Sequence, residues 1–512
     1  MVETPNLIYS YYPMNIDLLY AIAMLFGNDM IPKYIHLLFA LGTAWMIYSF
    51  LKVRTNHSFG LLGALLFLSI PVIVKLSITA YVDLGLIFFS WTSIVCLFKW
   101  ARSPHSLKYL IVAAIFCGLG LGTKYNGLLV FLLLSLLVPI LYIRSTNQEH
   151  HQLRYSIGYS LIFALISLAV FSPWMIRNTV LTRNPIFPLY DKQIYGESRI
   201  SGISNKSMKP WLLRKLIYKE TAVETGMIPL RIFFQGKDDN PKFFDGKLNP
   251  VLIICPLLLF LPYRKTDGRL ALEISILYVF STFFILYASF MVDMRIRYIA
   301  PVIPPLVVLS ILGIRNSLQW IEGFGSRPMF SICRWTIVGF VASMLALNVA
   351  YAGRLFHSVD PLPFLVGKIS REAYLEAKLP EYAAIQYLNQ IPDPDIKIMA
   401  LFLGRHLYYF DKKVDFDYQA FAKIVSSSAQ NSISRQLESN GFSHCIIGMD
   451  RFTMWANKTF TKDQISTVKQ WLKEECQLLF SKNGYVVLDL TPKAYASPDQ
   501  KERGSIHRHA QE

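Results

Sequence analysis

Ten apolar stretches divide this chain, near residues 34–52, 59–80, 82–98, 109–123, 127–143, 156–176, 250–262, 271–291, 298–315 and 334–353. Most approach the ~20 residues that ~30 Å of hydrocarbon requires of a spanning helix. Inside lipid, every backbone N–H and C=O has to be satisfied within the segment or in a closed barrel. Runs of this length therefore predict a polytopic α-helical membrane protein of about ten spans. The stretch at 250–262 is short and holds Pro256 and Pro262, so its helix is expected to be irregular.

A hydrophobic fraction of 53% with only 17% charged residues is far from a soluble domain, and the bilayer is the main solvent. The net charge of +17 reads as an excess of cytoplasmic lysine and arginine plus tail lysines. No basic helix interleaved with aromatics appears, which argues against a nucleic-acid partner. Cys96, Cys117, Cys255 and Cys333 lie in or beside apolar spans, where they pack as small hydrophobes. Cys445 and Cys476 lie outside the spans and are candidates to pair in an oxidising compartment. No spacing of Cys or His suggests a structural metal.

The connections orient the spans. Those after the odd-numbered spans carry Lys52, Arg54, Lys99, Arg102, Lys108, Arg144, Arg154, Arg264, Lys265, Arg269, Arg315, Arg327 and Arg334. They are expected in the cytoplasm. The alternate connections hold the residues able to do polar chemistry: Asp83, Lys124, Arg177 with Asn178, and Arg295 with Arg297. A charge in hydrocarbon costs about 2.5–3.5 kcal/mol on insertion scales. A polar rim confined to alternate boundaries thus predicts one functional face, and it is the extracytoplasmic one.

Four domains are expected. Residues 1–33 form a loop remnant with a juxtamembrane helix, 34–353 the transmembrane domain with an outer loop at 177–249, and 354–490 an extracytoplasmic α/β domain. Strands are expected at Lys397–Leu403, Cys445–Gly448 and Tyr485–Leu490, and helices through Tyr387 and Leu388, at Ala429–Ser439 and at Lys462–Glu475. The stretch 491–512 is polar without apolar period and predicts a disordered tail.

Asp83 sits between two apolar spans with almost no loop around it, so it must be solvated, paired or liganded. A plain reading makes it the N-cap of the following helix; Lys75, two turns earlier, is a candidate partner or a snorkelling side chain. Lys124, in Gly122-Thr123-Lys124-Tyr125-Asn126-Gly127, suits a phosphate as a compact charge, or is an interfacial anchor. Arg177-Asn178 runs into the proline-rich Asn184-Pro185-Ile186-Phe187-Pro188, which reads as an ordered loop supporting a pocket. Arg295 and Arg297 precede Tyr298 and the prolines Pro301, Pro304 and Pro305, and suit bidentate phosphate recognition or lipid-headgroup anchoring.

The order of these motifs resembles bacterial GT-C glycosyltransferases of the protein-mannosyltransferase-like superfamily, which includes the aminoarabinose transferases. The resemblance covers about residues 9–353. It implies transfer of a sugar from a polyprenyl-phosphate donor to a lipid, glycan or protein acceptor on the outer face of the cytoplasmic membrane. Such enzymes resemble one another in beginning with a cytoplasmic N-terminus, one span and a long outer loop with an acidic motif. This chain opens at Tyr11-Tyr12-Pro13-Met14-Asn15-Ile16-Asp17, which looks like the end of that loop. The first span and the acid are accordingly expected in a longer reading frame, or the protein is a degenerate, non-catalytic member.

On this reading Lys124, Arg295 and Arg297 bind the donor phosphate. Asp83 orients the acceptor or a basic residue, or ligates a divalent cation, Mg²⁺ or Mn²⁺ by its hard oxygens. Asp17 is a second candidate base, against its reading as a helix-start residue of an amphipathic segment Ile16–Phe26. Lys75, Tyr81, Tyr125, Asn126, Arg177, Asn178 and Tyr298 support the site. A lipid-linked-sugar transporter or flippase is the rival class, but it calls for charges near the bilayer midplane.

Overall fold

Among the described residues, seven helices are long and apolar enough to cross a membrane, and an eighth span is a bent pair. The structure is a computed structural model describing residues 8–26, 28–104, 106–146, 152–195, 209–262, 268–322, 327–404, 406–427 and 432–490. Arg264, Lys265 and the tail expected at 491–512 lie outside that set. The first helices are α1 (Asn15–Leu25), α2 (Ile31–Arg54), α3 (His57–Ser69), α4 (Pro71–Ser77), α5 (Asp83–Trp100), α6 (Lys108–Leu121), α7 (Gly127–Ser145) and α8 (Gln152–Thr182). Spans at Gly268–Met291, Ile296–Ile321 and Pro328–Val359 follow. Two shorter apolar helices, α6 and Val251–Phe260, complete the ten expected positions. The chain is a multi-pass membrane protein.

The span expected at 59–80 is not one helix: α3 and α4 meet at 67°. Pro71 opens α4 without a backbone N–H, and Ile70 before it takes the extended conformation (ψ 129°) that a following proline favours. Close helix approach elsewhere depends on missing side chains. A Cβ on Gly118 of α6 would lie 2.6 Å from the Ser167 carbonyl of α8, and the Ser167 hydroxyl donates to Ala114 O at 2.9 Å across the same contact.

Two spans are almost wholly buried, α5 and Ile296–Ile321. The other helices surround them and turn apolar faces to lipid: Trp45, Leu65, Leu136, Phe283 and Trp335 are all exposed. Both central spans start at the same end of the bundle, since the 296–302 turn packs on α5. At the opposite end Glu273 is paired with Arg54 and lies 3.8 Å from Arg102, and Arg315 donates to Arg54 O. The alternating boundaries thus converge on two separate ends.

The chain divides into two compact units, Met1–Val359 and Asp360–Glu512. The second holds a five-stranded sheet in the order β2-β1-β3-β5-β4: β1 (Lys397–Leu401), β2 (Lys413–Asp415), β3 (His444–Gly448), β4 (Gln477–Lys482) and β5 (Tyr485–Asp489). β1 is parallel to β2 and β3, while β5 is antiparallel to β3 and β4. Apolar clusters cover both faces of the sheet, one around Phe421 and Trp471, the other around Ile385 and Leu388. Of the helix expected at Ala429–Ser439, residues 429–431 lie outside the described set and Ile433–Ser439 is helical; the one at 462–475 ends in a π turn at Trp471–Glu475. Cys445 and Cys476 are buried and are not joined in a disulfide; the Cys476 sulfur lies 4.0 Å from the Ser434 hydroxyl.

Candidate functional site

Asp83 is the first residue of α5 and only 1% exposed. It does not cap that helix. The Leu84 N–H, one of the donors left over at a helix start, is taken by Nε2 of His36 at 2.9 Å. His36 is itself fully buried on α2, and its Nδ1 lies 2.9 Å from Leu76 O and 2.8 Å from Thr79 O. These bonds assign the proton to Nδ1 and leave Nε2 as acceptor. One imidazole therefore ties the end of α4 to the start of α5, and the Asp83 carboxylate is released from capping.

That carboxylate meets Lys124, whose Nζ lies 2.6 Å from Asp83 Oδ1. Lys124 stands in the turn between α6 and α7, which close on each other at Gly127: a Cβ there would reach Gly120 O at 2.7 Å. Asn126 donates to Tyr298 O at 3.2 Å, joining this turn to the start of the second central span. The Lys124 ammonium sits 5.2 Å from the centre of the Tyr298 ring.

Arg297 lies against the same ring and that of Tyr81. Its Cζ lies 5.1 Å from the Tyr81 ring centre and 5.7 Å from that of Tyr298, a cation–π setting on two faces. Among the described residues it has no carboxylate within ion-pairing distance, and its buried Nε has no hydrogen-bond partner. Asp83 is the anion with the strongest electrostatic effect on it. Tyr81 is held in turn by Tyr20 of α1, whose hydroxyl donates to Tyr81 O at 2.6 Å.

Arg295 goes elsewhere. Its Nη1 lies 3.4 Å from Asp245, in a loop positioned by a buried ion network. In that network Glu220 binds Arg214 (3.1 Å) and Arg231 (3.0 Å), and both guanidiniums flank the Phe244 ring. Phe244 O then accepts the Ile296 N–H at 2.8 Å. Lys75, expected near Asp83, instead pairs with Asp239 at 3.1 Å and Asp238 at 3.5 Å. The reason is reach: α4 lies against the 235–249 loop, where the Val72 N–H donates to Lys247 O at 3.0 Å, and Lys75 finds two carboxylates there.

Arg177 and Asn178 fasten the N-terminal segment. Arg177 donates to Ser10 O at 2.6 Å, and Asn178 to Tyr11 O at 3.0 Å and to the Tyr125 hydroxyl at 3.2 Å. Tyr125 donates to Phe187 O at 2.7 Å, next to the cis Phe187–Pro188 bond. Trp174 donates to Asn15 Oδ1 at 2.8 Å, and Asn15 seats against Gly122, where a Cβ would be 2.2 Å from its amide nitrogen. Asp17 stands in the first turn of α1 and is exposed. Tyr20, one turn on, feels both Asp17 and Asp83 electrostatically.

No group of three His, Cys, Asp or Glu that would hold a metal exists among the described residues. Around Asp83 the neighbours are an ammonium and a guanidinium, a donor set that repels Mg²⁺ or Mn²⁺ and does not fit one. His36, Tyr20 and Asp245 were not legible as site residues. A histidine within an apolar span was the one available signal, since such a residue has to find partners.

Residues 13–176 match the model of the family Dolichyl-phosphate-mannose-protein mannosyltransferase. The fold is similar to that of ArnT from Cupriavidus metallidurans, both in the apo state and bound to undecaprenyl phosphate. In each case the TM-score is 0.52 at 15% identity, over 94% of this chain and 88% of that one. No curated protein matches the chain by sequence. The fold is a GT-C fold of this type, in agreement with the motif order.

Proposed function

We propose that the protein is a membrane glycosyltransferase that moves a sugar from a polyprenyl-phosphate donor to an acceptor at the extracytoplasmic face of the cytoplasmic membrane. The observation that carries this reading is Arg297, a cation against the Tyr81 and Tyr298 rings that has no carboxylate within ion-pairing distance among the described residues. A guanidinium so placed suits a phosphate. The family model at residues 13–176 and an ArnT bound to undecaprenyl phosphate support the same donor chemistry.

In the transfer an acceptor hydroxyl forms a bond to the anomeric carbon while the bond from that carbon to the phosphate oxygen breaks. The electron pair leaves with the phosphate. Arg297 and Lys124 stabilise the charge as it develops. Asp83, buried and committed to Lys124, is a positioning residue that holds the ammonium in place. Asp17 is exposed, and we assign to it the hydroxyl proton.

The test is transfer of radiolabelled sugar from polyprenyl-phosphate-linked donors, with binding of undecaprenyl phosphate measured in parallel. Arg297→Ala is expected to weaken lipid-phosphate binding at least tenfold, in keeping with the loss of a charged hydrogen-bond donor. Undiminished binding and transfer by that variant would end the assignment.

A further inference from the structure

The second unit carries a cluster of polar and aromatic side chains at one edge of its sheet. β1 and β3 run parallel, with Leu401 opposite Ile447, so both end at the same edge. The chain passes from β1 to β2 on one side and then crosses to β3 on the other. The crevice outside the carboxyl ends of β1 and β3 is thus a topological switch point, where open α/β sheets place ligands.

At that edge Glu381, 4% exposed, accepts from Nδ1 of His406 at 2.7 Å. Gly404 lets the two meet, since a Cβ there would lie 2.6 Å from both. The His406 side chain is 42% exposed and keeps Nε2 for another partner. Arg451, exposed in the first turn of the Met449–Thr459 helix that follows β3, has no ion-pair partner among the described residues. It acts electrostatically on Glu381 and on Tyr485. Tyr485 is paired with Gly448 at the end of β3.

Aromatic faces lie at the same edge. Tyr418 follows β2, is 44% exposed and leans on Phe402 (5.7 Å) and Trp455 (6.1 Å). Phe402, directly after β1, has φ +61°, a left-handed conformation that a bulky residue rarely adopts and that surrounding structure must enforce. A flat apolar face beside fixed hydrogen-bonding groups matches a pyranose, whose C–H face packs on a ring while its hydroxyls both donate and accept. The unpaired guanidinium adds a preference for negative charge.

We propose that this edge is a second ligand site, binding a saccharide that carries an anionic group. His406, oriented by Glu381, takes the hydroxyls. Arg451 takes the anion, and Tyr418 carries the sugar face. The inference goes beyond the transfer reaction and does not depend on it.

The experiment is calorimetric titration of the full chain in detergent, in an Arg297→Ala background that weakens phosphate binding at the bundle end. Glucose 1-phosphate and N-acetylglucosamine 1-phosphate are the probes, with inorganic phosphate as comparison. At least one sugar phosphate is expected to bind more tightly than inorganic phosphate. Arg451→Ala should weaken it about tenfold, and Tyr418→Ala and Glu381→Gln by about fivefold each. Arg451 and Tyr418 are exposed, so their variants fold even if Glu381→Gln does not. The proposal is overturned if neither sugar phosphate binds, if binding survives the substitutions at Arg451 and Tyr418, or if inorganic phosphate binds as tightly.

Discussion

Lys124 Nζ lies 2.6 Å from Asp83 Oδ1, between residues 41 positions apart whose side chains are 18% and 2% exposed. Removing either partner strands a charge at the end of a buried span. Asp83→Asn and Lys124→Met should each cost about 3 kcal/mol, the low end for buried pairs because the lysine keeps some solvent. The double variant should cost less than the sum. Thermal unfolding of the four proteins in detergent checks this; additive losses would mean that the pair is not coupled.

Arg297 needs its shape as well as its charge. A lysine at this position keeps the charge but loses the planar fork that lies against Tyr81 and Tyr298. Arg297→Lys is expected to recover less than a tenth of the undecaprenyl phosphate affinity lost in Arg297→Ala, and equilibrium binding of the labelled lipid decides it. Full recovery would reduce the site to a point charge.

Asp17→Asn should leave lipid-phosphate binding unchanged and lower kcat by about a hundredfold, the lower bound for losing a general base. Steady-state kinetics with saturating donor separates the two. An unchanged kcat would return Asp17 to its plain role as a first-turn residue of α1.

His36→Ala removes the acceptor of the Leu84 N–H and the donor to Leu76 O and Thr79 O. The expected cost is about 1–3 kcal/mol for buried groups left unsatisfied, together with a fall in kcat larger than any change in KM. Glutamine has both a donor and an acceptor, so His36→Gln should restore part of each. Equal damage from both substitutions would point to packing alone.

The His406 hydrogen bond holds the Glu381 carboxyl below its ordinary value of 4.5. A depressed folded-state pKa adds stability that is fully present above that ordinary value and is lost as pH falls through the folded one. Tryptophan fluorescence from Trp455 and Trp471 in a series from pH 6 to pH 3 should show unfolding of the second unit steepen below pH 4.5, with the dependence reduced in Glu381→Gln. Parallel curves for the two proteins would contradict this.

The spans were legible because hydrocarbon imposes a length and a composition on consecutive residues, and the short α6 and Val251–Phe260 still announce themselves by their apolar runs. The bend between α3 and α4 is not legible in the sequence, although Pro71 is visible, because proline is also common at a helix start. In the second unit β1, β3 and β5 were found by their buried β-branched and apolar runs. β2 has three residues, and β4 is an edge strand with its ends exposed; neither carries a strong alternation.

The sequence by itself determined which residues share one end of the bundle, because crossing lipid alternates sides with every span, and that parity is counted along the chain. Only the tertiary structure decided who pairs with whom. Lys75 goes to Asp238 and Asp239, Arg295 to Asp245 and Lys124 to Asp83, while Arg297 has no carboxylate partner among the described residues. Those choices depend on helix rotation, on a bend at Pro71 and on a loop folded around Glu220. Side chains separated by 41 to 164 positions meet only once the helices have packed.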